Sequence, residues 1–320
     1  MAEIEINDEV QRLLQDVNDA FPGEVRLHFG KERSGYVRHD QSNQLINGDK
    51  ILVEVSDVTA PDYTASHELL HMLLALKGFP QLFFKLTTGD EDADQQLMFF
   101  ITELYDVVAH EIVVSEQRKH GLIDTVIESL FLNGIHETIT PEKKDEIDPM
   151  STLRLLMMMN AIVFYGDKID QYSAEFEESY PQAWQAALDI MTKLDERDIK
   201  TPLDFRRKVI KAFKLFDGQM SKWGVAELHS MEFATLGSVF SERQLRLTVR
   251  QLFQIFHADL DEKATKTRAY IGLSIGEEQQ NAFVLPTPKN KQSDEYFREL
   301  YNKNVKDLFE ELKMPYSIRQ

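Results

Sequence analysis

The stretch KILVEVSDVTAPDYTASHELLHMLLALKGFP, residues 50–80, decides how the chain is read. Residues 50–55 are β-like, and Asn47-Gly48 just before them is a strong hairpin signal. Pro61 suits a first helical position, and Gly78 and Pro80 end the pattern, so the spacing predicts a helix over 61–77. Leu69, Leu70, Met72, Leu73, Leu74 and Leu76 leave that helix apolar on nearly every side after its first turns. Such a helix belongs at the centre of a fold, covered on all faces.

Working outward, Val10, Leu13, Leu14 and Val17 recur at helical spacing, with Asn7 or Asp8 able to cap the start and Pro22-Gly23 to stop it. Further β-like runs cover 24–29, the surroundings of Tyr36, and 44–46. Beyond the central helix, 85–94 reads as a polar loop, 94–119 as a long helix and 123–132 as another. The charged, Pro-bearing segment 136–149 reads as a linker. Helices are expected at 151–165, 173–194, 202–216, 241–257 and 293–312, with a late hairpin from 269–275 and 282–285. The expected fold class is α+β. Domain 1–136 would set helices on a short, mostly antiparallel sheet, and a mainly α-helical domain would occupy 150–320.

Composition narrows the function. The chain of 320 residues carries 36 Lys+Arg against 54 Asp+Glu, a formal net charge of -18. That surface repels nucleic-acid backbone and anionic lipid, so neither is an expected partner. With no cysteine, thiol nucleophiles, disulfides and Cys-based zinc sites are excluded, and any metal must be held by His, Asp or Glu. The opening MAEIEINDEV is acidic and polar, unlike a signal peptide, and the most apolar later stretch, 155–165, is too short to span a bilayer. A soluble cytoplasmic protein is the expectation. No Gly-rich phosphate loop occurs.

One motif carries chemistry. His67-Glu68-Leu69-Leu70-His71 is an H-E-x-x-H sequence on the central helix. Residues four apart share a helix face, so both imidazoles can reach one ion, while Glu68 is turned about 100° away, beside a metal-bound water. Zinc lowers the pKa of such a water to about 7, within reach of a carboxylate base. Two histidines and a glutamate buried without partners would be costly, and a bound metal removes that cost.

The segment resembles the core of the zincin metallopeptidases, and within them the ImmA/IrrE type, in which a strand, a loop and an active helix of the form AHELGH follow in order. Ser66 stands where that family often has Ala, and Leu70 where it often has Gly. The metzincin extension is absent, because Leu74 and Lys77 occupy its Gly and His positions. The resemblance covers about residues 1–120. It implies a zinc-dependent peptidase with His67 and His71 as ligands, Glu68 as general base and a third ligand from the next helix. On that helix Glu103, Asp106 and His110 fall within about 60° of one another. The family pattern implies Glu103, although Val107 stands where the related pattern has an acidic residue. Asp106 and His110 remain open as the ligand. The implied substrate is a protein or peptide, such as a regulatory protein rather than general nutrient. The alternative is a non-catalytic interaction module on a zincin scaffold.

His28, His39, His120, His136, His229 and His257 show no ligand spacing and read as surface or internally satisfied side chains. Met157-Met158-Met159 reads as core filling, with a pliable partner groove as the alternative.

Overall fold

Asn7 opens the first helix: its side-chain oxygen accepts the backbone N–H of Val10 at 2.9 Å, and α1 follows over Asp8–Ala20 with Val10, Leu13 and Val17 buried. Three strands come next, β1 (Glu24–Glu32), β2 (Ser42–Asn47) and β3 (Lys50–Asp57). The computed structural model describes residues 4–39, 41–143, 146–276, 278–288 and 293–319. The strand order is β1-β3-β2. β2 and β3 form the expected antiparallel hairpin, with Gly48 in the left-handed region at φ 65°. β1 and β3, however, run parallel, pairing Val25 with Ile51 and Leu27 with Val53. The sheet is therefore mixed rather than mostly antiparallel. The hairpin returns its second strand between β1 and β2, because β3 is the most apolar of the three and buries Ile51, Val53 and Val55.

Those buried side chains face α2 (Pro61–Leu76), which packs on β3, β2 and α1. Pro61 begins α2 and left-handed Gly78, at φ 80°, follows its end. Then come α3 (Glu91–Lys119), α4 (Thr125–Thr138), α5 (Ser151–Tyr165), α6 (Ser173–Ser179), α7 (Pro181–Leu194) and α8 (Pro202–Trp223). The expected helix 173–194 is thus two, broken at Pro181, which disfavours helical geometry at Tyr180. Met158 and Met159 are fully buried in α5, as core filling requires.

The chain forms two compact units, and each is assembled from two segments. The first comprises Met1–Lys77 with Ala109–Met191, the second Gly78–Val108 with Thr192–Gln320. This differs from the linear division into 1–136 and 150–320. Segment 136–149 is charged, and Glu142 and Asp148 in it cap and pair within the first unit. The Glu142 carboxylate accepts the backbone N–H groups of Gln182 and Ala183, each at 2.8 Å, at the start of α7. Arg154, only 2% exposed, pairs with Asp148 at 2.7 Å and donates to the Thr140 carbonyl at 2.6 Å.

The second unit combines helices with strands. It holds an antiparallel four-stranded sheet of β4 (Leu86–Thr87), β5 (Phe253–Glu262), β6 (Thr267–Ser274) and β7 (Asn281–Pro286), in the order β7-β6-β5-β4. The expected helix 241–257 is instead two single turns and the start of β5. Ser241 with Gln244, and Thr248 with Gln251, each form a capping box, so the helix is restarted twice before the β-prone FQIFH run takes over. Phe253, Phe283 and Phe309 anchor the core there. Among the described residues no helix is long and apolar enough to cross a membrane.

Candidate metal centre

α2 is largely apolar, and several of its polar side chains meet partners on neighbouring elements of the first unit. His67 is 3% exposed. Its Nε2 lies 3.2 Å from Nε2 of His71, one turn further along α2. Ligand nitrogens about 2.0–2.1 Å from a tetrahedral zinc lie about 3.3 Å apart, so the two imidazoles already stand at the separation a shared ion requires.

The third imidazole comes from α3. His110 is 1% exposed, and its ligating nitrogens lie within 4.8 Å of those of His67 and of His71. Its Nδ1 is held by Asn160 Oδ1 of α5 at 2.8 Å. An amide oxygen only accepts, so the proton sits on Nδ1 and leaves the Nε2 lone pair free. His67 is oriented in the same sense. Gln117 donates its amide nitrogen to the Tyr63 carbonyl at 3.0 Å and to Ser66 Oγ at 2.9 Å, which turns its Oε1 toward His67 Nδ1 at 3.5 Å.

A fourth imidazole, His39, arrives from the loop between β1 and β2. His39, His67 and His110 form a group whose ligating atoms all lie within 4.8 Å of one another. The His39 ring stacks on His67 at 4.6 Å and its Nε2 contacts the Tyr63 hydroxyl at 3.1 Å. The loop is fixed from both sides. Asp57 accepts the backbone N–H of Ser34 and of Thr59, each at 2.7 Å, and the Val37 N–H donates to the Leu130 carbonyl at 3.0 Å. Gly134 of α4 makes room: a Cβ there would sit 2.2 Å from the Val37 carbonyl oxygen. The local spacing around His39 carries no sign of this placement, because tertiary contacts bring it in.

Burial sets the protonation state. It lowers His67 to about 4 and, helped by the charge of His67, lowers His71 to about 3. Burial, then the neighbouring imidazoles, hold His39 and His110 well below the ordinary histidine value. All four are neutral at pH 7, the form that donates a lone pair to a metal.

Glu68 points to the sheet. Its Oε1 accepts from Ser42 Oγ at 2.8 Å and its Oε2 from Gln44 Nε2 at 3.1 Å, so both oxygens are oriented by edge strand β2. Asp106 precedes His110 by one turn of α3, and Glu103 by two; both are partly buried and both fall in the second unit's share of that helix. The described groups of possible metal ligands contain His110 and do not contain Glu103.

No family model, curated protein or solved structure matches the chain.

Proposed function

We propose that the chain is a zinc-dependent metallopeptidase acting on a protein or peptide substrate. The observation that carries this reading is the 3.2 Å approach of His67 Nε2 to His71 Nε2, with two further neutral imidazoles at hand. His67, His71 and His110 would hold the ion, with His39 as a fourth imidazole beside them. Glu103 stands as the carboxylate alternative for the third ligand. When bound, zinc supplies a Lewis acid for the scissile carbonyl and activates solvent for attack.

The chain's own residues supply the rest. Glu68, steadied by Ser42 and Gln44, takes the proton from the attacking water and returns it to the departing amine. Among the described strands β2 pairs with β3 alone, so its other edge can receive an extended peptide beside Glu68. The ImmA/IrrE resemblance supports a narrow, regulatory protein substrate.

The test is elemental analysis of the purified chain, followed by hydrolysis of a peptide library by the wild type and by Glu68→Gln. The expected result is about one zinc per chain in both proteins, with hydrolysis reduced about 10²–10⁴-fold in the variant, the usual contribution of a general base. A protein that neither carries nor takes up zinc at neutral pH would sink the reading in favour of a non-catalytic interaction module.

A further inference from the structure

The second unit inverts the charge of the whole molecule over one surface. A cavity of about 610 Å³ opens beside α8, lined by Arg197, Arg207, Lys208, Lys211 and Lys214 against Glu196, Asp204 and Glu278. A neighbouring cavity of about 230 Å³ shares Arg207 and Glu278 as walls and adds Arg206 and Arg319. Together they present seven cationic side chains and three carboxylates, in a chain of net charge -18. The overall acidity gives no hint of this concentration.

Depth matters as much as number. The Lys208 side chain is only 6% exposed, and the Asp195 carboxylate it faces at 3.6 Å is itself 64% exposed. Arg206, 4% exposed, pairs with Glu278 and donates to the Gly237 carbonyl at 3.0 Å. Arg206 and Lys208 are thus each faced by a carboxylate of the chain itself. Arg207 and Lys214 are exposed at the rim, so two cations lie deep and two stand at the entrance. Arg207, Lys211 and Lys214 follow one face of α8 over two turns, about 10 Å, which is longer than a single phosphate group. The larger cavity has no aromatic wall on which a base could stack, so recognition there is by charge. Its volume falls in the usual range for small-ligand sites.

We propose that these adjoining cavities bind a small anion carrying two or more phosphate groups, gripped by the guanidinium forks of Arg207 and Arg197 and by the α8 lysines.

The experiment is calorimetric titration of the full chain with inorganic tripolyphosphate at two salt concentrations. The expected result is a saturable complex that weakens as salt rises. It should also weaken at least tenfold in Arg207→Gln/Lys214→Gln, whose two side chains are exposed at the rim, with an unchanged urea midpoint showing that the variant still folds. Glu196→Gln, which releases Lys211 from its 2.6 Å ion pair, should tighten it. No saturable heat at millimolar tripolyphosphate would overturn the proposal. So would a heat unchanged in the double variant, which would place the anion on bound metal instead. Saturable binding of single-stranded DNA without binding of tripolyphosphate would overturn the small-anion assignment.

Discussion

Asn160 Oδ1 and His110 Nδ1 lie 2.8 Å apart, closer than the side-chain contacts described for His39, His67 and His71. This one bond decides which His110 nitrogen faces the other imidazoles. Asn160→Leu removes the acceptor and releases the tautomer. Zinc affinity, measured by competition with a chromogenic chelator, should fall about 10–100-fold, the usual effect of losing a group that orients a ligand. Unchanged affinity would remove His110 from the ligand set.

The ligands can be ranked by measuring zinc affinity for alanine variants at His39, His67, His71, Glu103, Asp106 and His110 side by side. The largest losses are expected at His67, His71 and His110, each exceeding the loss in Asn160→Leu. His39→Ala should lose less, because His39 is also held by Tyr63. A loss at Glu103 equal to that at His67 would restore the carboxylate as the third ligand.

Gly134→Ala tests how the His39 loop is seated. The added methyl would meet the Val37 carbonyl oxygen at 2.2 Å, against a helix that cannot yield. Overpacking of this kind costs about 1–3 kcal/mol, readable as a lower urea midpoint. His39 should move with its loop, so its ring resonances should shift while those of His71 stay in place.

Glu128 contributes to acid stability in the first unit. Burial alone would raise its pKa, but hydrogen bonds and charge from Lys168 at 2.7 Å and Arg118 at 3.0 Å bring it below the ordinary value of 4.5. A carboxylate lowered in the folded state adds stability that is complete above its unfolded pKa and is lost as pH falls through the folded one. Unfolding by urea at pH 7 and pH 3.5 should reveal that loss in the wild type and a smaller one in Glu128→Gln. At pH 7 the variant should be weaker by about 1–2 kcal/mol, because the cations left behind, Arg118 and Lys168, are 28% and 42% exposed and can be hydrated.

Local patterns carried much of this in the sequence. α2 was legible from Pro61, Gly78 and an unbroken apolar surface, and the adjacency of His67 and His71 follows from their four-residue spacing alone. β3 was legible, but its parallel pairing with β1 was not, because register across a long connection depends on which strand is most deeply buried. His39 was hidden for a different reason. Its position depends on Asp57, Leu130 and Gly134, none of them its neighbours in sequence. Residues 241–257 failed as a helix because two Ser/Thr-x-x-Gln caps interrupt what periodicity alone would join. Composition read 136–149 as a linker, whereas Glu142 caps α7 and Asp148 pairs with buried Arg154 inside the first unit.

The chain alternates between its two units, passing from one to the other after Lys77, Val108 and Met191. That path has a cost during synthesis. β4, at Leu86–Thr87, pairs with Asp261 and Glu262 of β5, which the ribosome makes only much later. At about 5–20 residues per second the wait lasts roughly 10–35 s. His110 likewise emerges only after an excursion into the second unit, so the imidazole cluster cannot assemble on the first nascent segment alone. During that interval Leu86 and Thr87 lack their β5 partners, and His67 and His71 lack His110.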